Sequence, residues 1–261
     1  MAAQMSKRPQ GKGTSFQRRG DMVTLARALS KLGEASRTEA GRLIREGGVT
    51  VNGRAVRDPD RWIDPQTDRI AVRGEVVRKH KHVYLMLHKP VGVVTTRSDE
   101  KGRATVYDLL PDETPWVFPV GRLDKESSGL LLLTNDTRFG EAITAPGGNV
   151  PKVYVVHVDH AMTSAEAELI RCGMTVGRNS FRPAVLSIDP TDGRRIRITL
   201  IEGKNREIRR MLEALGYEVI GLHRIAIGPF TIGGLPPGGV RSLSSLAVRN
   251  LMRRQSLGGE T

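Results

Sequence analysis

The stretch GRLDKESSGLLLLTND, residues 121–136, crowds Arg122, Asp124, Lys125 and Glu126 against four consecutive leucines. The leucines read as a core strand. Charge next to such a strand costs free energy unless it is paired or put to use. Ser127-Ser128-Gly129 separates Asp124 from the leucines, so the aspartate belongs to a turn at the mouth of the strand rather than to the sheet interior. Taken alone, an aspartate in a turn is equally a structural cap.

A second segment, IRITLIEGKNREIRRMLEALGY at 196–217, runs from a strand through Gly203 into a helix. Ile208, Met211, Leu212 and Leu215 form the apolar stripe of that helix. Arg209 lies on the border of the stripe, where it can reach into a cleft and there needs an acidic partner; Asp124 is the candidate. Lys204 and Arg206 fall near the helix N-terminus, whose free N–H groups favour phosphate.

The other apolar runs after Val83 are VYLMLHKP, GVVTT, WVFPVG, KVYVVHV, AVLSI and RIRITLI, with helical patterns near 163–172 and 205–215. Most connections are too short for crossover helices, so the pattern predicts an α+β fold with a mixed, mostly antiparallel sheet. Neither a GxxxxGK[ST] loop nor a GxGxxG turn supports a nucleotide-cofactor fold. His80, His82 and His88 lack acidic or cysteine companions at ligand spacing, so no metal site and no cofactor is expected.

Upstream lies a smaller unit. Leu25, Ala28, Leu29 and Leu32 mark an amphipathic helix ending at Gly33. Ser36-Arg37-Thr38-Glu39 reads as a capping box opening a second helix, with Arg37, Arg42 and Arg45 on one side and Ala40, Leu43 and Ile44 on another. VTVNGRAV is a hairpin turning at Asn52-Gly53. Residues 1–20 carry five basic residues, no acid and nothing to bury, the composition of a disordered basic arm. RGEVVRKHKH, 73–82, reads as a charged linker. The expected organisation is therefore an arm over 1–20, a small domain over 21–80, a larger one over 83–252, and a flexible tail over 253–261.

The 261 residues carry a formal net charge of +13, which points to a polyanionic partner. Aromatic content is only 4%, so phosphate contacts through Lys and Arg are expected ahead of a surface built of stacked bases. Cys172 is the single cysteine, no apolar run approaches the length of a membrane helix, and the first residues lack a signal-peptide core. Together these predict a cytoplasmic protein without membrane contact.

The small unit, with RTEAGRLIREGGVTVNGRAV, resembles the S4 RNA-binding domain, which implies Arg37, Arg42 and Arg45 as contacts to structured RNA. VGRLDKESSGLLLLTND, PKVYVVHV and EGKNREIRRML, in that order behind it, resemble the bacterial ribosomal-RNA pseudouridine synthases. The likeness is to the branch that holds the small-subunit enzymes of type A together with the large-subunit enzymes of types B, E and F. HKPVGVVTTRSDEKGRATVYDLLP, 88–111, is most similar to the large-subunit enzymes of type B. The resemblance implies an isomerase acting on ribosomal RNA, most closely 23S, as a monomer, on naked RNA or a pre-ribosomal particle.

By the same resemblance Asp124 is catalytic, and Arg122 enters the helical stack where the uridine flips out. Tyr154 stacks on the base, Leu200 packs in the pocket, and Arg209 pairs with Asp124, favouring a carboxylate over a carboxylic acid in a dry site. Read by themselves, Tyr154 is also a strand core residue and Leu200 sheet packing. The segment TNDTRFGEAITAPGGNVPKVY departs from the TNDG and His-rich helix of many relatives, which bears on the branch and target uridine. Two rival readings are a non-catalytic S4-type RNA-binding or ribosome-assembly factor and a hydrolase pairing Asp124 with Glu126 or Asp136. The first leaves the three motifs coincidental, and the second lacks a convincing carboxylate spacing.

Overall fold

The computed structural model describes residues 22–77 and 81–257. The expected basic arm lies outside them. The chain divides into two compact units between Lys79 and His80.

In the first unit, helices Leu25–Leu32 and Arg37–Arg45 pack with a four-stranded sheet over Leu25, Leu29, Ala40, Ile44, Val49 and Ile70. Gly33 ends the first helix in the left-handed conformation, and the Ser36 side chain accepts the Glu39 backbone N–H at 3.1 Å, the serine half of the expected box. Strands Val49–Val51 and Arg54–Val56 turn at Asn52 and Gly53, both at positive φ as a type I′ hairpin requires. The linker expected over 73–82 is in part a strand. Arg73 and Gly74, again both at positive φ, form a turn that pairs Glu75–Val76 with Ile70–Val72.

The second unit is built on a nine-stranded sheet. Its main order is Val185–Ile188, Arg195–Leu200, Lys152–Val158, Val219–Ile227, Ser127–Thr134, Tyr84–Lys89, Val240–Ser242. All neighbours are antiparallel except Val219–Ile227 and Ser127–Thr134. The four leucines occupy the middle of this sheet and are fully buried because both faces are covered. Leu130 and Leu132 pack with Phe139, Ile143 and Val248, whereas Leu131 and Leu133 pack with Leu85, Val106 and Val117.

The parallel contact is unusually close. A Cβ on Gly129 (φ +108°) would lie 2.2 Å from the Arg224 carbonyl oxygen, so only glycine lets the two backbones meet there. GVVTT is not a strand; Val94 makes a single bridge to Thr105 within a loop. Helix Ser245–Leu257 takes in residues 253–257, so the expected tail is in good part helical.

Candidate active site

Asp124 emerges from the turn between strands Phe118–Val120 and Ser127–Thr134, and its carbonyl accepts the Ser127 N–H at 3.1 Å. The turn is tied on either side of the aspartate. Leu123 and Thr95 exchange two hydrogen bonds (2.9 and 3.4 Å), and Gly92 N–H donates to the Lys125 carbonyl at 2.9 Å. Beneath it Lys89, fully buried, donates through Nζ to the carbonyls of Ser127 (2.6 Å) and Pro90 (3.0 Å). Burial pulls the Lys89 pKa down to about 8, while the charges of Glu126 and Asp124 oppose the fall.

A cavity of about 530 Å³ opens at this turn and brings Arg122, Asp124, Tyr154, Leu200 and Arg206 together. Tyr154 comes from the strand Lys152–Val158, between Ile198 and Arg224 on the neighbouring strands. The Arg224 guanidinium sits 5.9 Å from the Tyr154 ring centroid, with Nη1 3.5 Å from the phenol oxygen, and its Nε donates to the Leu130 carbonyl at 2.7 Å. Leu200 faces Lys152 across the sheet and is buried. Burial, and then the Arg224 charge, lower the Lys152 pKa.

The ion partner of Asp124 differs from the expected one. Arg206 Nη1 lies 3.5 Å from Asp124 Oδ2, and its Nη2 is 3.8 Å from Glu213. Arg206 is the N-cap of helix Glu207–Ala214 with φ of 50°, a left-handed conformation that costs a non-glycine residue about 1 kcal/mol. Arg209, expected at the carboxylate, is buried one turn further on. It donates to the carbonyls of Val219 (3.2 Å) and Glu126 (3.5 Å). The reason is its place on the helix: Arg209 shares the buried side with Ile208, Met211 and Leu212, and backbone carbonyls are the acceptors there.

Lys204 and Arg206, expected as phosphate contacts, also have protein partners. Lys204 Nζ lies 2.9 Å from Glu202 and bonds the Ser180 carbonyl. Arg122 lines the cavity and is exposed, and Arg37, Arg42 and Arg45 are exposed on the helix of the first unit. Arg42 also faces Glu46 at 3.8 Å. Asp136, the second carboxylate of the hydrolase reading, caps the helix Thr137–Thr144 and accepts from the Tyr84 hydroxyl at 2.8 Å. Sequence reasoning misses Lys89, Lys152 and Arg224. Arg224 has a sequence signal, since a charge inside the apolar run VIGLHRIAI marks a position with a special partner.

An aspartate on a turn at a strand mouth, a tyrosine two strands away in the same sheet and a surrounding set of cations suit an enzyme that works on a nucleic acid. The comparisons with known proteins make this specific: residues 83–214 match the RNA pseudouridylate synthase family and residues 23–67 the S4 domain, and the chain belongs to that synthase family. It is 35% identical to the ribosomal large subunit pseudouridine synthase B of Bacillus subtilis over 88% of this chain and 96% of that one. An uncharacterized RNA pseudouridine synthase of Aquifex aeolicus is 36% identical over 90% and 96%. Among solved structures, a pseudouridylate synthase superposes with a TM-score of 0.65 at 28% identity, over 88% of this chain and 99% of that one.

Proposed function

We propose that this synthase isomerises a specific uridine of ribosomal RNA, in the 23S RNA of the large ribosomal particle, with Asp124 as the catalytic group. The observation that carries the reading is the cavity joining Asp124 to Tyr154 and Arg122. The reaction breaks the N1–C1′ bond of uridine and forms C5–C1′; a proton leaves C5, N1 gains one, and the composition is unchanged. These atoms are shielded inside stacked RNA, so the nucleotide must first be extruded. Arg122, exposed at the cavity rim, fills the vacated place in the stack. Tyr154 offers a π face worth about 1–3 kcal/mol to the extruded base, and the apolar Leu200 closes the opposite side. Asp124 acts on the base or sugar held between them, with Arg206 as its counter-charge.

Arg37, Arg42 and Arg45 hold structured RNA through its phosphates, supported by their exposure and by the S4 match. The protein works as a monomer in the cytoplasm, on free RNA or a pre-ribosomal particle; among the described residues no helix is long and apolar enough to cross a membrane. Carbodiimide mapping of pseudouridines in ribosomal RNA from strains with and without the gene tests the reading. One 23S site should vanish without the gene, return with the wild-type chain and stay absent with Asp124→Asn, whose RNA affinity should remain within a few fold of wild type. Restoration of the site by Asp124→Asn would remove the aspartate from the mechanism, and an unchanged map would remove the ribosomal substrate.

A further inference from the structure

A second cavity, of about 420 Å³, adjoins the first, and the two share Arg122, Leu123 and Asp124 as a common wall. Its far side is the loop 94–103, folded around one carboxylate. Asp99 accepts the backbone N–H groups of Lys101 (3.1 Å) and Arg103 (2.9 Å) and pairs with the Arg103 guanidinium, Nη2 to Oδ1 at 2.5 Å. That guanidinium holds the Asp99 carboxyl well below the usual carboxylate range, so the two charges cancel at any working pH. Lys101, Lys125 and Arg122 are exposed and, among the described residues, make no ion pair. The cavity thus presents unneutralised cations, opposed by Glu100 and by Asp124, which Arg206 already faces at 3.5 Å.

An extruded nucleotide stays joined to its neighbours by phosphodiesters, and a strand leaving the first cavity past Arg122 enters the second. We propose that the second cavity is a subsite for the phosphodiester of a nucleotide next to the extruded uridine, held by Lys101 and Lys125. The inference rests on the pseudouridine synthase reading for its RNA. That loop and the residues leading into it are tied to the catalytic turn, through Thr95 to Leu123 and through Gly92 to Lys125, on either side of Asp124. Occupying the subsite therefore fixes the turn that presents the aspartate, and Lys125 has a role that the motif does not explain.

The test uses the full chain and a stem-loop RNA spanning the mapped uridine, with one methylphosphonate placed in turn at each linkage flanking it. Binding is read by fluorescence anisotropy. One linkage should weaken wild-type binding about 3- to 30-fold, the range for a charge-assisted contact. Lys101→Ala/Lys125→Ala should bind the unmodified RNA more weakly by a similar factor and be indifferent to neutralisation of that linkage. Both lysines are exposed, so the fold is not at stake. Equal binding by the variant and wild type, or losses that simply add at every linkage, would overturn the proposal. A wild type that binds as described but converts no uridine would instead overturn the functional reading, since the binding result is scored without turnover.

Discussion

Replacing Glu207 by glutamine should make the protein more stable at pH 8, and much less so at pH 5. Glu207 is buried at the start of helix Glu207–Ala214; Oε2 accepts the Lys204 N–H at 2.9 Å, and Oε1 finds no donor among the described residues, the neighbouring Glu202 being a second carboxyl. Burial, then the neighbouring Glu202, pushes its pKa up to about 7 from an ordinary 4.5, against the opposing pull of Lys204. Glu202 is itself held as a carboxylate by the Arg182 N–H and the Lys204 ammonium. For an acid raised in the folded state, the native chain keeps a proton that the unfolded chain has already released. Stability therefore falls as pH rises through 4.5–7, and the full penalty stands above about 7. At about 1.4 kcal/mol per pKa unit the ceiling is roughly 3 kcal/mol, and because the pair titrates together about 2 kcal/mol is expected. Glutamine keeps the acceptor for Lys204 and supplies a donor toward Glu202. Urea unfolding of both proteins at pH 5, 6, 7 and 8 and one ionic strength measures the difference, in which all other titrating groups cancel. A pH-independent difference, or a variant less stable at pH 8, would refute the reasoning.

Arg206 and Arg209 should separate in kinetics and stability. Arg206→Ala removes the counter-charge of Asp124 and should lower turnover at least tenfold with partial recovery in Arg206→Lys, whereas Arg209→Ala should cost about 2–4 kcal/mol in urea unfolding because a buried side chain and its two charge-assisted bonds to carbonyls are lost. Equal turnover by Arg206→Ala and wild type would return the pairing role to Arg209. Gly129→Ala should lose more than about 4 kcal/mol or fail to accumulate as soluble protein, since its Cβ meets backbone rather than a movable side chain; near-native stability would contradict the close parallel contact. Changing Arg37, Arg42 and Arg45 together to alanine should flatten the slope of log K against log salt for structured RNA by about 2–3, one phosphate each, and an unaltered slope would clear that helix of RNA contact.

Sequence periodicity locates the elements whose apolar pattern is strong. The S4 helices, the Asn52-Gly53 turn, the leucine strand and helices Ser164–Cys172 and Glu207–Ala214 all fall where the pattern places them. It misses the longest strand among the described residues, Val219–Ile227, because Gly221, His223 and Arg224 interrupt the run. Those interruptions are tertiary in origin. Arg224 is bound to the Leu130 carbonyl and set against Tyr154, and His223 bonds Ser128 at 2.9 Å. Asp124, Tyr154 and Leu200 converge as the family motifs imply, since each sits on or beside a strand of one sheet. The choice between Arg206 and Arg209 is not legible in sequence, because a period-3.6 reading assumes that the helix already runs at Arg206. The left-handed Arg206 starts the helix one residue later and sends the other arginine into the core.

Charge placed against a core strand has an energetic rationale in this site. Asp124 stands among Arg206 at 3.5 Å and the buried cations Lys89 and Arg224, with Lys152 across the cavity. Such an excess is wasteful for a single carboxylate, but the substrate adds one negative charge per nucleotide beside it. Each unit charge brought within about 4 Å costs or gains about 1 kcal/mol in water and about 4 kcal/mol at the effective dielectric of a protein surface. An isolated aspartate would repel the strand it must reach, and a pocket without the aspartate would leave cations buried without compensation. Placing both in one wall lets the cations serve the carboxylate before RNA arrives and the phosphates afterwards. The polar turn can lie against four buried leucines because Asp124 faces Arg206 and the exposed Arg122, Lys125 and Glu126 keep their water, while beneath them Lys89 and Arg224 hold carbonyls of the very strand that the leucines build.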